Sequence, residues 1–286
     1  MRDRDRQRCA NDRSEHICDR SGHTCDRGEQ THGRGEQTHG RGERTHNRGQ
    51  SELLGFALIF GVVVLAIVLI GTTGFVGLDD ARDFQRTTNA EQALTVLAEN
   101  IDDVTRRGAP SRTTEIRLAD ASLSLGEPER ITVTVGDSTP ENTTDVEMRP
   151  IVYDSGSGTT IAYTSGALIR QDGEHSVMIR EPNVVLTDEL VLLPVVATSP
   201  NDAGPVGGTS AVDVRTRSAG TEVVAADDGA TTVDVEVTSP RVESWYRFLD
   251  GETDADCEAP VDETVTCTIE TQRVYVTVEH VDVRFR

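Results

Sequence analysis

The sequence predicts an α+β fold, in which a long N-terminal hydrophobic and amphipathic helix is followed by a mainly-β, sandwich-like extracellular domain. Residues 53–78 carry no charged side chain, an apolar stripe at helical spacing follows them, and residues 110–286 consist of short β-branched segments separated by Gly, Pro, Asp and Ser. The predicted divisions are a disordered, repeat-containing cytoplasmic leader at 1–49, a signal and transmembrane helix at 50–78, an amphipathic helical stalk at 79–109 and an acidic β-rich extracellular domain at 110–286.

The leader is low in sequence complexity. The heptad RGEQTHG begins at Arg27 and again at Arg34, and RGERTHN begins at Arg41. Because almost no apolar side chain is available for a core, we expect these residues to be disordered. The leader contains three cysteines and five histidines, but their spacings match no standard zinc site. We therefore predict no metal ligands and no cofactor.

The apolar run predicts a helix that crosses a membrane. Its 26 residues would rise about 39 Å as a helix, which exceeds the ~30 Å of bilayer hydrocarbon. Between Leu53 and Ile70 there are fourteen Leu, Ile, Val or Phe side chains, and their transfer into lipid is favourable by about 4–8 kcal/mol in total. A buried helix of a globular protein would be shorter, and no A-x-A-like site follows the run as in a cleaved secretory signal. Membrane lipid is therefore a predicted partner.

The charges on either side of the apolar run predict its orientation. The leader contains 11 arginines, whereas Asp79 and Asp80 follow the run directly. By the positive-inside rule the N-terminus is cytoplasmic and the chain after residue 78 is extracellular. The predicted location is the cell membrane, with a single pass and the C-terminal domain outside the cell.

The exported part is strongly acidic. Residues 50–286 contain 17 arginines and 40 Asp or Glu residues, and the chain contains no lysine. A carboxylate surface without lysine is typical of proteins that remain soluble in molar salt, where charge repulsion is screened within a few ångströms. We therefore predict a halophilic protein. A net charge of −21 also predicts that nucleic acid is not a partner.

The stalk is predicted to be an amphipathic helix that ends at Gly108-Ala109-Pro110. Its apolar stripe recurs mainly at steps of three and four residues and consists of Phe84, Leu94, Leu97, Ile101 and Val104. This stripe can pack either on the C-terminal domain or on the helix of a neighbouring subunit. The sequence does not distinguish the two arrangements.

Beyond Pro110 the chain predicts ten strands and one helix. Val233, Val235 and Val237 alternate with acidic residues, which indicates a sheet with one face in water. The predicted helix is 240–249, in which Trp245 and its apolar neighbours can face the core. The predicted strands are 115–118, 131–135, 160–164, 167–170, 176–180, 190–197, 212–216, 231–238, 265–270 and 274–283.

Cys257 and Cys267 are the two cysteines that follow the apolar run. An even pair outside the cell is expected to oxidise. Nine residues separate the two, so a hairpin or a long turn can close the loop. We predict a disulfide, and the alternative is two buried free thiols.

Asn142 begins the sequon Asn-Thr-Thr in a loop on the exported side, which predicts an acceptor for N-glycosylation. No motif for catalysis accompanies it. The exported part has two histidines, His175 and His280, and lacks GxSxG, HExxH and glycine-rich phosphate-loop motifs. The sequence therefore predicts no catalytic residues and indicates that the chain is not an enzyme.

The segment Arg48-Gly49-Gln50-Ser51-Glu52 lies directly before the apolar run. A basic and a small residue, followed by a polar and an acidic one, resemble the class III signal of archaeal type IV pilins and related pilin-like proteins. The resemblance implies that a prepilin-type peptidase cuts between Gly49 and Gln50 and leaves the hydrophobic helix on the mature protein. Glu52 would then be the third mature residue rather than the fifth, where bacterial pilins usually keep a glutamate. The alternative is an ordinary juxtamembrane segment.

Residues 161–196, and TSPRVESWYRFLDG at 238–251 with the cysteine pair behind it, resemble a haloarchaeal family of pilin-like, membrane-anchored surface proteins of unknown function. This resemblance implies a structural or interaction protein of the cell surface, up to a subunit of a type IV pilus-like filament. Copies of the chain or other pilin-like subunits would then be partners through the N-terminal helix. The alternatives are a permanently anchored single-pass binding domain that does not assemble and, more remotely, an extracellular hydrolase.

Overall fold

The computed structural model describes residues 48–137, 139–201 and 204–286, and within them the side chains of 48–52 and 72–80 are outside the description. The repeats of the predicted leader, with the cysteines and histidines for which we predict no metal site, therefore lie outside the described residues. The chain divides into two units between Gly61 and Val62, and all of the β structure in the described residues belongs to the second.

The first helix, α1, runs from Arg48 to Thr105. It covers the predicted transmembrane segment and most of the predicted stalk. The helix ends before the predicted stop at Gly108, whose φ of +72° is a left-handed conformation that glycine adopts without strain. The Ala109 amide donates to the Asp103 carbonyl oxygen at 2.9 Å, which closes the end of the helix.

The described residues after α1 form two β-sheets and a second helix, α2 (Val242–Glu252). The first sheet has eight strands in the described part: β1 (Ser111–Arg117), β3 (Glu129–Val135), β4 (Thr143–Met148), β9 (Val185–Leu186), β10 (Val191–Pro200), β12 (Ala211–Thr238), β13 (Asp256–Cys257) and β14 (Thr264–Phe285). The second sheet has six: β2 (Ala121–Leu125), β5 (Ile151–Asp154), β6 (Thr159–Thr164), β7 (Ala167–Asp172), β8 (His175–Arg180) and β11 (Val206–Gly208). This arrangement confirms the α+β class.

Strands β12 and β14 form a long antiparallel ribbon through the first sheet. Val214 pairs with Phe285 at one end of the ribbon, and Thr238 pairs with Thr264 at the other. The prediction of two separate strands in each half of this ribbon is wrong. The polar residues between the predicted strands stay extended because they pair across the ribbon, and three register shifts in β12 absorb the irregularities.

Two hydrophobic cores lie on opposite faces of β14. Its side chains at the even positions 274, 276 and 278 belong to the first core, and those at the odd positions 281, 283 and 285 belong to the second. Successive side chains of a strand point to opposite faces, so the change of parity places the cores on the two sides of the sheet. On β10, Val195 belongs to the first core and its neighbour Val196 to the second. The two cores therefore pack against the first sheet, one on each of its faces.

Helix α2 packs on the first core. Trp245, Phe248 and Leu249 are buried, as predicted, and they follow Val242 at the spacing of one helical face. The helix begins two residues later than predicted because Pro240 and Arg241 form a turn, in which the Val242 amide donates to the Ser239 carbonyl oxygen at 3.1 Å.

Candidate functional site

Residues Leu53–Gly71 of α1 form a helix that is long and apolar enough to cross a membrane. Each of the fourteen large apolar side chains between Leu53 and Ile70 is exposed, from 42% at Val64 to 71% at Ile70. The 19 residues rise about 28 Å, close to the ~30 Å of bilayer hydrocarbon. Such a continuous apolar surface is unfavourable in water, and lipid or other apolar helices can cover it. The segment is a candidate membrane anchor.

The predicted stripe farther along α1 packs on the chain's own β domain. Leu94, Leu97 and Ile101 are fully buried in the second core, together with side chains of both sheets. Of the two arrangements that the sequence allowed, the structure therefore has the one within a single chain. Phe84 does not join the stripe, because its side chain is 70% exposed.

Polar contacts also fix this part of α1 to the sheets. Arg170 of β7 donates to Glu91 at 3.0 Å, and Arg180 of β8 donates to Asp102. These four side chains are between 14% and 30% exposed, so water screens the two ion pairs only in part. The two pairs lie three helical turns apart on α1, which ties the helix to the second sheet at both ends of the stripe.

The end of α1 carries a further carboxylate that two arginines hold. Asp103 accepts hydrogen bonds from Arg112 at 3.0 Å and from Arg107. These hydrogen bonds, first that of Arg112 and then that of Arg107, lower the pKa of the Asp103 carboxyl below its usual range. Arg112 belongs to β1, so the contact joins the helix end to the first strand.

The predicted processing residues lie at the start of α1. Gly49, Gln50 and Glu52 fall within its first two turns, since the helix begins at Arg48. Their side chains are outside the described part of the chain. The structure thus places the predicted cleavage site immediately before the apolar segment Leu53–Gly71.

Cys257 and Cys267 form a disulfide with an S–S distance of 2.07 Å. The two residues are direct cross-strand partners of β13 and β14. The Cys267 side chain is fully buried in the first core and Cys257 packs against that core. The bond therefore fixes the segment between α2 and β14 to the core.

Asn142 is exposed in the turn that leads into β4. Its side-chain Nδ2 donates to the Asp137 carbonyl oxygen at 3.0 Å, and its amide donates to the Thr139 carbonyl oxygen at 3.0 Å. The predicted acceptor nitrogen is thus at the surface but takes part in the turn.

The structure also brings together a buried ion pair that the sequence did not indicate. Arg241 donates to Glu129 Oε1 at 3.0 Å, and Thr164 donates to Glu129 Oε2 at 2.7 Å. Glu129 is 3% exposed, and burial raises the pKa of its carboxyl although Thr164 and Arg241 oppose that change. Glu129 belongs to β3 of the first sheet and Thr164 to β6 of the second, so the carboxylate links the two sheets.

Among the residues that the structure describes, no group of three or more His, Cys, Asp or Glu side chains is placed to hold a metal ion. His175 lies on β8 and His280 on β14, in different sheets.

The comparisons with known proteins give a family. No curated protein matches the chain, and no solved structure matches it. A sequence profile described as "Family of unknown function (DUF7289)" matches residues 48–284, which include α1, both sheets and α2. The chain belongs to this family, DUF7289.

Proposed function

We propose that the chain is a pilin-like protein of the cell surface, anchored by one transmembrane helix, with a cytoplasmic N-terminus and a sandwich-like domain outside the cell. The observation that carries the proposal is the exposed apolar helix Leu53–Gly71, continued on the same helix by a stripe that its own β domain covers. An anchor helix that continues into a folded domain is the architecture that the resemblance to pilin-like proteins implies.

Three features support the extracellular side for the β domain. The disulfide between Cys257 and Cys267 is the form that cysteine pairs take in oxidising compartments. The domain lies on the acidic side of the apolar helix, as the positive-inside rule requires. Asn142 offers a sequon at an exposed turn, where an exported protein would carry its glycan. The acidic, lysine-free composition supports a haloarchaeal origin.

Assembly into a filament would use the apolar part of α1. Because Leu94, Leu97 and Ile101 are occupied within the chain, the apolar surface that the described part of α1 still offers to neighbouring helices is Leu53–Gly71. Ala57 and Gly61 share a face at four-residue spacing, and a Cβ added to Gly61 would meet no atom within 4 Å. Another helix can therefore approach closely at this point.

A permanently anchored domain that does not assemble is the second candidate. The same occupation of the stripe favours it, because the β domain needs no neighbouring helix to complete its second core. In this case lipid alone covers Leu53–Gly71.

The mature N-terminus tests the processing on which the first candidate depends. Mass spectrometry of the membrane fraction should give Gln50 as the first residue, and Gly49→Phe should leave the leader in place because a bulky side chain replaces the small residue before the cut. Gly42→Phe is the matched control, since Gly42 also follows an arginine in a repeat but precedes no apolar run. Leader retention in wild type would refute the first candidate, and recovery of the chain in the soluble fraction without detergent would refute both.

Shearing of intact cells separates the two candidates. A filament subunit should appear in the sheared, sedimentable fraction with Gln50 at its N-terminus, whereas an anchored domain should stay with the membrane. Gly61→Leu should reduce the sheared fraction by blocking close helix approach, and should leave membrane insertion intact because leucine is at least as apolar.

A further inference from the structure

Three arginines lie together at one end of the β12–β14 ribbon, in a domain that is otherwise strongly acidic. We call Arg215, Arg217 and Arg284 the arginine patch. Arg215 is the direct cross-strand partner of Arg284, and Arg217 lies two residues along the same face of β12. Like charges directly opposite each other on a sheet are destabilising, so this arrangement has a cost in the isolated chain.

Two arginines of the patch, Arg215 and Arg217, have no carboxylate as an ion-pair partner among the residues that the structure describes. Within the described ranges, Arg215 and Arg217 are exposed and make no ion pair within 4.0 Å. Asp282 is the cross-strand partner of Arg217, but it accepts hydrogen bonds from Asn201 at 3.2 Å and Ser199 at 3.5 Å. Arg215 and Arg217 are therefore available to an external anion.

The patch lines a cavity that is large enough to hold a carboxylate group. The cavity has a volume of about 110 Å³ and is lined by Asn201, Arg215, Arg217, Asp282 and Arg284. Arg284 is fixed beside it, because its Nη2 donates to Asn201 Oδ1 at 2.7 Å and its Nε donates to the Asn201 carbonyl oxygen at 3.0 Å. Planar guanidinium groups bind carboxylates through paired hydrogen bonds, so the chemistry favours an acidic side chain as the ligand.

A groove with the opposite charge lies at the other end of the same ribbon. We call it the acidic groove and define it by Asp145, Glu147 and Glu236, which line a cleft of about 370 Å³. Asp145 and Glu147 are 53% and 60% exposed and form ion pairs with Arg130 at 3.2 and 3.7 Å, and Asp145 also accepts a hydrogen bond from Thr132 at 2.8 Å. Exposed pairs of this kind are weak and exchange readily.

The arginine patch and the acidic groove are on opposite faces of the first sheet. Asp282 and Arg284 alternate with Val281 and Val283 of the second core, so the patch points away from that core. Glu236 lies between two valines of the first core, so the groove points away from the first core. The two surfaces therefore cannot meet within one chain, and a contact between them joins one copy to the next.

We propose that the arginine patch of one copy binds the acidic groove of a second copy, which gives a directional, head-to-tail contact between β domains. This contact rests on the proposed function, because it requires that copies of the chain lie side by side at the cell surface. It adds to that function a lateral contact between the copies. Charge complementarity identifies the partner as a second copy, because each copy carries both the arginine patch and the acidic groove. Residues 50–286 contain 40 acidic residues against 17 arginines, so a basic patch on one copy meets a mostly acidic surface on the next. Molar salt, with its screening length of ~3 Å, weakens the long-range attraction but acts less on guanidinium–carboxylate pairs that are hydrogen-bonded at contact distance.

A charge-exchange experiment on the full chain in detergent tests this contact by sedimentation velocity. Arg215→Glu with Arg217→Glu should weaken self-association about tenfold or more, since it removes attraction and adds repulsion. The matched control is Arg106→Glu with Arg273→Glu, which makes the same change of net charge at two exposed arginines outside both surfaces and should associate as wild type does. Circular dichroism checks that each variant is folded.

The complementary variant makes the test specific. Asp145→Arg with Glu147→Arg should also weaken self-association, and an equimolar mixture of the two double variants should regain it, because each then offers the other a matched surface. Equal association of wild type and the patch variant would overturn the proposal, and so would a mixture that remains monomeric or a wild type that never associates. The mature N-terminus and membrane fractionation are independent of these residues, so a failed proposed function would be recognised separately.

Discussion

Replacement of Leu97 by alanine tests how firmly the β domain holds α1. The Leu97 side chain is 0% exposed and lies in the second core. Removal of a buried leucine side chain costs its transfer from water and leaves a cavity, so we expect the free energy of unfolding to fall by about 3 kcal/mol, or roughly a hundredfold in the unfolding equilibrium. Val96 is the control on the adjacent face, since it is 48% exposed and its replacement by alanine should change that free energy by about 0.5 kcal/mol or less.

Fluorescence of Trp245 provides the assay. Trp245 is the one tryptophan in the sequence and is buried in the first core, away from the mutated site. Both cores pack on the first sheet, so we expect them to unfold together, and the urea titration of the full chain in detergent should shift to a lower midpoint in Leu97→Ala. Equal midpoints for Leu97→Ala and Val96→Ala would refute the conclusion that the stripe is part of the domain's core.

Three further perturbations give defined outcomes. Reduction of the Cys257–Cys267 disulfide should lower the free energy of unfolding by about 2–3 kcal/mol, because it releases a loop closed over a separation of 10 residues, and equal thermal midpoints with and without reductant would contradict this. The pKa of Asp103 is lowered in the fold, so its stabilising contribution is present above its unfolded pKa and is lost as pH falls through its folded pKa. The free energies of unfolding of wild type and Asp103→Asn should therefore converge in acid. The pKa of Glu129 is raised in the fold, so its contribution to the free energy of unfolding is fully present below its unfolded pKa and is lost as pH rises through its folded pKa. The difference in free energy of unfolding between wild type and Glu129→Gln should therefore change with pH in the opposite sense to that for Asp103. A difference that does not vary with pH would contradict the assignment.

Local sequence patterns predict the elements whose signals are strong. The uncharged run predicts the apolar part of α1, because it is long enough to cross a bilayer as a helix. The alternation at Val233, Val235 and Val237 predicts which face of β12 is buried, because successive side chains of a strand point to opposite faces. Trp245 and its neighbours likewise indicate α2. Strand β4 has the sequence TTDVEM, in which Val146 and Met148 are the buried residues, and so short a pattern does not stand out from a loop.

Local sequence patterns do not predict the features that depend on contacts between residues far apart in the chain. Glu129 lies 112 residues from Arg241, and nothing near either residue indicates that they meet in the interior. The arginine patch has the same origin, because the long β12–β14 ribbon brings Arg215 beside Arg284. The packing of the α1 stripe also depends on strands that follow it in the chain, which is why the sequence allowed two arrangements.

The change of parity along β14 limits how this chain can vary in length. One residue inserted or deleted between Val278 and Val281 would rotate every later side chain to the other face, so valines of the second core would meet water and Asp282 and Arg284 would enter that core. Members of the family that differ in length should therefore accommodate the difference in the connections between strands and keep the residue count of the ribbon's middle unchanged. Engineered insertions, such as epitope tags, should be tolerated at those connections and should abolish folding within the ribbon.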